Sequence, residues 1–326
     1  MKGLKERILD SVRQDLVEIE EALAENLSPY LPVVSQVAKY IMFGGGKRIR
    51  PLLMVLSARL CGYQGGYDKT LSVVFEYLHS ATLLHDDLVD GAEVRRGNPV
   101  AHSVWGNPAT VLVGDFLLAR SIAIAAETGN IAIIDILAST TAQMSEGEIG
   151  QLLHKGDLAT DESDYMDVIR RKTAYLIQSA CHVGALLAEA EEARVRALAQ
   201  YGYNLGVAFQ LVDDLLDYTA DGQVLGKATG TDLREGKLTL PVIYALNRAT
   251  NEDRNHMEEI IGDPAFTKAG FDAVLSLIKK YGGIAYARKR AHEHIDQAKR
   301  SLGIFDGSKS RGLLEDLADY VLMRKM

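Results

Sequence analysis

Leu84-His85-Asp86-Asp87-Leu88-Val89-Asp90 closes a run that is apolar on most faces from about residue 69 onward. Leu211-Val212-Asp213-Asp214-Leu215-Leu216-Asp217 closes a second such run far downstream. Runs of this length and periodicity read as helices, and a helix apolar nearly all round belongs inside a bundle rather than on its surface. Each run ends in Asp-Asp-x-x-Asp and is soon followed by glycine, Gly91 and Gly222. The last turn of a helix carries partial negative charge and favours Lys or Arg over acids. Two copies of the same breach mark a place where function outweighs local stability.

Outward from these runs, residues 4–27 are amphipathic, with Leu4, Ile8, Val12, Leu16, Ile19 and Leu23 at helical spacing, and Ser28-Pro29 stops them. A short helix is expected over 31–42. The glycine-rich basic loop Gly44-Gly45-Gly46-Lys47-Arg48-Ile49-Arg50-Pro51 follows, its proline suited to the first turn of a helix reaching about residue 60. A polar loop holds Arg95, Arg96, Gly97, Asn98 and Pro99, and Pro108 opens an apolar helix to about residue 127. Further helices are expected over 131–153, 161–190 and 192–218. Residues 221–237 read as a Gly/Lys/Asp-rich loop without periodicity, and shorter helices fill the remainder to near residue 322. No stretch shows strand alternation or a hairpin signal, and no linker divides the chain. One all-α domain spanning 1–326 is expected.

The 326 residues carry a net charge of −8, which argues against general nucleic-acid binding. The hydrophobic share of 47% suffices for a large core, and sparse aromatics among abundant Ala and Leu favour helix over sheet. Cys61 and Cys181 sit in apolar surroundings and read as buried free thiols in a reducing compartment. The charged N-terminus lacks the apolar core of a signal peptide and is too acidic for a transit peptide. No run reaches the roughly 18 apolar residues of a membrane span; 122–126 and 131–137 are divided by Glu127, Gly129 and Asn130. A soluble, cytoplasmic protein without stable membrane insertion is expected.

In a helix, Asp86 and Asp90 share a face, with Asp87 about 100° away; Asp213, Asp214 and Asp217 repeat the arrangement. Clustered carboxylates repel one another unless a cation neutralises them. The helix turns His85 to another side, so no soft ligand joins them. Oxygen-only ligation favours a hard cation, and magnesium binds through one or two carboxylates, waters and substrate phosphates. Two clusters facing each other would grip a diphosphate through bridging magnesium ions. Taken singly, such a cluster is as readily a solvated helix end.

A diphosphate also needs positive charge. Lys47, Arg48 and Arg50 lie beside three glycines whose amides can approach phosphate closely. Arg95 and Arg96 follow the first acidic motif, Lys172 and Thr173 sit mid-helix, and Lys227 and Lys237 follow the second motif. Gln210 lies one turn before Asp214 and His79 two turns before Asp86, where it could donate a hydrogen bond to a phosphate. Any one basic pair is ordinarily solvated surface, and Gln210 and His79 alone are ordinarily core groups; their placement beside both acidic motifs favours a site.

These motifs resemble the trans-isoprenyl diphosphate synthases, the polyprenyl synthase family, and most closely the long-chain, octaprenyl type that makes quinone side chains. The resemblance rests on Gly-Gly-Lys-Arg-x-Arg-Pro, His-Asp-Asp-x-x-Asp, Arg-Arg-Gly, Lys-Thr-Ala, Phe-Gln-x-x-Asp-Asp-x-x-Asp and Gly-Lys-x-Thr-Leu-Pro, in family order from Gly44 to Pro241. It implies an isoprenoid synthase fold, an all-α bundle around a deep central cavity, usually as a homodimer. It implies that Lys47, Arg50, His79 and Arg96 hold isopentenyl diphosphate. Arg95, Lys172, Thr173, Gln210, Lys227 and Lys237 would contact the allylic diphosphate. Asp86, Asp87 and Asp90, with Asp213, Asp214 and Asp217, would bind magnesium, three ions with substrate present. The implied reaction ionises the allylic C–O bond and adds isopentenyl diphosphate head to tail.

The product tail should run along the helix before Asp86. Ala81, five residues earlier, and Ser80 are small and leave that path open, where short-chain members tend to carry bulky aromatics. The floor then lies deeper, near Val74 or Leu78 or on the neighbouring helix around 116–124, and a product near C40 is expected. A geranylgeranyl or farnesyl diphosphate synthase is the alternative. A terpene cyclase or a non-catalytic partner subunit fits less well, because both acidic motifs and the basic set are intact.

Overall fold

The computed structural model of the chain describes residues 3–219, 230–263 and 265–324. Helix makes up 78% of it, and the only strands among the described residues are two of two residues each, so the all-α expectation holds. The helices run α1 (Leu4–Glu25), α2 (Pro32–Phe43), α3 (Ile49–Leu60), α4 (Asp68–Val89), α5 (Ala101–Trp105), α6 (Asn107–Ala126), α7 (Ile131–Leu153), α8 (Glu162–Ile169), α9 (Tyr175–Leu187) and α10 (Glu192–Thr219). Beyond them lie Thr231–Arg234, Leu240–Arg248, Asn251–Ile261, Lys268–Lys280, Gly283–Ser301 and Lys309–Leu322.

Contacts group these elements into two compact units. Unit 1 takes residues up to 141 with 179–199 and 304–316; unit 2 takes 142–178, 200–303 and the remainder. In unit 1, α4 is the core helix. Leu71, Val73, Val74, Phe75, Tyr77, Leu78, Ala81 and Leu84 are all within 1% of full burial, as its all-round apolar pattern requires. The Tyr77 hydroxyl, buried with its ring, donates to Leu23 O at 2.7 Å. α4 packs against α1, α2, α3 and α6. It stops where Gly91 takes φ +62°. There Ala92 N–H donates to Asp87 O at 3.0 Å and Gly91 N–H to Leu88 O at 3.3 Å, a Schellman closure.

Four expectations are corrected. The polar loop after Asp90 is a minimal hairpin: Val94–Arg95 pairs antiparallel with Asn98–Pro99 through a two-residue turn in which both Arg96 (φ +53°) and Gly97 (φ +80°) are left-handed. The helix expected over 161–190 is interrupted by a π-helical turn, Arg170–Ala174. And α6 does have the length and composition of a membrane span, with a mean hydropathy of 1.7 over its best window, of which 39% is buried. Asp115 and Arg120 hide it from a search for unbroken apolar residues. Its buried side, Val113, Leu117, Ser121 and Ile124, lies against α4, while Leu112 is 65% exposed. The expected loop over 221–237 holds a helical turn, Thr231–Arg234; residues 220–229 lie outside the described ones.

In unit 2, His294 on Gly283–Ser301 is buried, its Nδ1 2.8 Å from Asn204 Oδ1. Burial, with Arg290 adding repulsion, pushes its pKa down to about 4. The unfolded chain therefore takes up this proton before the folded one does, and stability is lost as pH falls from the ordinary histidine value toward 4. Thermal midpoints measured between pH 7 and pH 4.5 should fall more steeply for the native chain than for His294→Gln. Parallel curves would show that His294 does not contribute to acid sensitivity.

Candidate active site

The residues singled out by the motifs fall into two clusters, one in each unit. In unit 1 the loop between α2 and α3 presents Lys47, exposed, and Arg50, half-buried in the first turn of α3. Arg96, at the turn of the hairpin, donates from its guanidinium to Gly45 O and so ties hairpin to loop. His79 faces this group from α4. Burial, and then the guanidiniums of Arg50, Arg96, Arg95 and Arg48, hold its pKa well below the usual histidine range, so the ring is neutral. Arg96 is also lowered, by burial and by Arg95 beside it. Cations crowded together at the cost of mutual repulsion form an anion site. On the Arg96 side of this group a pocket of about 260 Å³ opens, lined by Lys39, Tyr40, Gly44, Asp87, Arg95 and Arg96 among others but not by Lys47, Arg50 or His79.

The first acidic motif divides. Asp86 is half-buried and Asp90 exposed, one turn apart. Asp87 is 2% exposed and bound by Arg95, whose Nε lies 2.8 Å from Oδ1 and whose Nη2 lies 2.7 Å from the same oxygen. Here each side chain holds the other, and the pair sets Arg95 along the pocket wall. His85 turns away as expected, its Nε2 3.2 Å from Val111 O on α6. Ala81 and Ser80 are buried in the core face of α4.

In unit 2 the π turn carries Lys172 and Thr173. Such turns recur at functional sites because they shift side chains off the regular helical register. Two glycines make room for this one. A Cβ at Gly206 on α10 would lie 2.6 Å from Ala174 Cα, and one at Gly147 on α7 2.7 Å from Lys172 N. Both obstacles are backbone and cannot swing aside. Gly206→Ala should therefore displace Lys172 and Thr173 and lower kcat/KM about 100-fold, the size of effect a 1 Å misplacement can have. Unchanged steady-state kinetics would show that the π turn does not position them.

Lys172 Nζ bonds Glu148 at 2.5 Å and Gln151 at 2.8 Å, both from α7. Thr173 donates to Gln210 Oε1 at 2.8 Å, and Gln210 donates on to Asp214 Oδ1 at 2.7 Å. Tyr165 supplies the other oxygen of Asp214 with a 2.5 Å bond. Burial pushes the Asp214 carboxyl up to about 7, opposed by these two donors and assisted by Asp213 and Asp217. Each Asp214 oxygen thus accepts one hydrogen bond, which ties Asp214 to Tyr165 and, through Gln210, to Thr173. Asp217 likewise accepts from the backbone N–H groups of Thr231 and Asp232, each at 3.1 Å, and caps the helical turn there. Asp213 alone of this motif is exposed. It pairs with Arg324 at 2.9 Å, whose guanidinium lies over the Phe209 ring.

A pocket of about 170 Å³ is lined by Gln151, Tyr165, Lys172, Gln210, Asp214 and Lys237 among others. Lys237 pairs with Glu235 at 2.9 Å. Asp232 also lines it, its carboxyl pushed up to about 8 by burial and by Asp214 and Asp217. Glu148, Gln151, Tyr165 and Asp232 were not anticipated from the sequence. The i,i+3 spacing of Glu148 and Gln151 on α7 was the one available signal. Lys227 lies outside the described residues.

Among the described residues no three His, Cys, Asp or Glu side chains converge on a ready-made metal site. The donor set still fits magnesium. Asp86, Asp90 and Asp213, the last on exchanging its pair with Arg324, would offer hard oxygen donors, and magnesium needs only one or two carboxylates when waters and substrate phosphates complete its shell.

Residues 31–278 match the polyprenyl synthetase family. This chain belongs to the polyprenyl synthetase family. It is a prenyltransferase. The octaprenyl diphosphate synthase of Escherichia coli (strain K12) is 37% identical over 319 residues, 98% of each chain. A decaprenyl diphosphate synthase from Rhodobacter capsulatus superposes with a TM-score of 0.92 at 40% identity, covering 98% of each chain. A Caulobacter crescentus polyprenyl synthase solved with calcium and isoprenyl diphosphate superposes equally well, at 37% identity and the same coverage. The resemblance read from the motifs and the all-α isoprenoid synthase fold it implied both hold for this family member.

Proposed function

We propose that this enzyme condenses isopentenyl diphosphate head to tail onto an allylic diphosphate such as farnesyl diphosphate. Its product is an all-trans polyprenyl diphosphate of about C40, destined for a quinone side chain. The observation that carries this reading is the presence of two cation-lined pockets, one in each unit, each beside an acidic helix end. Ionising and cyclising one substrate needs a single diphosphate site; joining two substrates needs two. The octaprenyl and decaprenyl relatives support the long product.

Lys47, Arg50, His79 and Arg96 are assigned to isopentenyl diphosphate, with neutral His79 donating one N–H. Lys172, Thr173, Gln210 and Lys237, with Lys227, are assigned to the allylic diphosphate. Asp86, Asp90 and Asp213 are assigned to magnesium. When bound, about three ions would supply Lewis-acid neutralisation of the departing diphosphate. Lys172 and Lys237 hold the charge that builds on that diphosphate as the allylic C–O bond breaks and its electron pair leaves. Exclusion of water protects the allylic cation until the double bond of isopentenyl diphosphate reaches it. The isopentenyl double bond then forms the new C–C bond, and the adjacent carbon loses a proton to the released diphosphate, restoring a double bond. The chain is proposed as one catalytic domain, a homodimer through the exposed apolar side of α6, and cytoplasmic.

Release of inorganic diphosphate tests this directly. It should require both substrates and a divalent cation, and excess chelator should stop it. Release from the allylic substrate alone at the full rate would favour a cyclase.

A further inference from the structure

The basic loop carries a third cation that the two-pocket reading leaves without a task. Arg48 stands between Lys47 and Arg50, yet it is 5% exposed and already spoken for. Its Nε donates to Glu20 Oε1 on α1 at 2.7 Å, and its Nη1 to Glu76 Oε1 on α4 at 2.8 Å. Its Nη2 donates at 2.7 Å to Met42 O, one of the carbonyls that the C-terminus of α2 leaves without a helical partner. Its own backbone carbonyl accepts from Leu52 N–H and opens α3. One residue thus joins α1, α2, α3 and α4. It does so in a left-handed conformation, φ +48°, that arginine rarely takes, the kind of backbone strain found where the surroundings over-determine a functional loop. Gly46 passes so close above the guanidinium that a Cβ there would lie 2.7 Å from Nη1.

We propose that Arg48 is a positioning residue for the isopentenyl diphosphate site: its guanidinium, forked between Glu20 and Glu76, sets the 44–50 loop so that Lys47 and Arg50 reach the same diphosphate as His79. Glu76 lies three residues before His79, on the same face of α4, so the clamp ties the loop to the helix that carries the histidine. The charge of Arg48 is consumed by two carboxylates, which makes it a poor ligand for a further anion. A buried ion pair is weak support for stability, because apolar replacements of similar volume are often neutral; fixing a register is its better-attested use. Lysine, a single point of charge, cannot span both carboxylates and the carbonyl.

This inference rests on the assignment of Lys47 and Arg50 to isopentenyl diphosphate, and Lys47→Ala serves as the control for it. The test is steady-state kinetics of the double variant Arg48→Met with Glu76→Met, with Arg48→Lys and Arg48→Gly alongside, each with its thermal midpoint. The double variant should fold with a midpoint within a few degrees of the native chain. Its KM for isopentenyl diphosphate should rise at least about tenfold, while KM for the allylic substrate stays within about twofold. Arg48→Lys should not restore the lower KM. Arg48→Gly, which accepts the left-handed backbone freely, should fail in the same way. A native KM in the double variant, or in Arg48→Gly, would overturn the proposal, provided Lys47→Ala raises that KM. If Lys47→Ala leaves it unchanged, the assignment of the site itself fails instead.

Discussion

Asp86→Ala should abolish condensation and leave the fold intact. Asp86 sits in the last turn of α4, half-buried, where the helix dipole disfavours an acid, so its charge opposes the local helix dipole. Its contribution lies in the reaction, where a carboxylate that holds a cation over the leaving group is worth about 10²–10³-fold or more in kcat. The thermal midpoint should be unchanged or slightly higher. Asp87→Ala, one residue on, should behave differently. It strips the partner from Arg95 in a buried pair and should lower the midpoint, since leaving a buried charge uncompensated costs about 3–5 kcal/mol, less where one partner is 30% exposed as Arg95 is. Calorimetry and single-turnover rates on the two variants separate the roles. Equal losses of stability in both, or full activity in Asp86→Ala, would contradict the division of the motif.

Ala81→Phe should shorten the product. Ala81 is fully buried, five residues and about 7.5 Å from Asp86 along α4, and an isoprene unit is about 4–5 Å long. A phenyl ring at that level stops the tail after about two further units, so the main product should fall to C15–C20. The proposed floor of the native path lies deeper. Val74 lies a further seven residues along, and Ser121 Oγ of α6 approaches Val74 O at 3.5 Å, with Leu117 and Ile124 buried beside it. From Asp86 to the start of α4 at Asp68 the helix spans about 27 Å, room for about six units. A tail of eight units must therefore bend or pass beyond α4. Product sizing on Ala81→Phe and on Ser121→Phe distinguishes the two levels, with the second variant giving products of intermediate length. Native-length products from Ala81→Phe would remove α4 from the path of the tail.

The helices were legible because their cause is local. The all-round apolar pattern of α4 and the amphipathic spacing of α1 follow from burial alone, and the glycine after Asp90 announced the end of α4. The candidate residues were legible as types and not as partners. Asp87 and Arg95 are eight residues apart and look like one ligand and one anion contact until the hairpin folds Arg95 back onto α4. Asp214 carries the same motif letter as Asp87, and its fate depends on Tyr165, 49 residues away. The π turn leaves no trace in hydrophobic periodicity, since one inserted residue shifts the register without interrupting the apolar face. Gly147 and Gly206 signalled it only indirectly, as glycines inside helices where alanine would be the stabler choice. Arg48 read as one more cation of a phosphate loop because nothing local ties it to Glu20 and Glu76.

The most direct measurement is to incubate the purified chain with labelled isopentenyl diphosphate, farnesyl diphosphate and magnesium, then size the dephosphorylated products by chromatography. The expected result is a narrow set of linear all-trans prenols centred near C40, absent in chelator and absent in Asp86→Ala. Products ending at C15–C20 from the native chain would contradict the long-chain assignment. Cyclic hydrocarbons, or no incorporation of the label, would contradict the prenyl-transfer account itself.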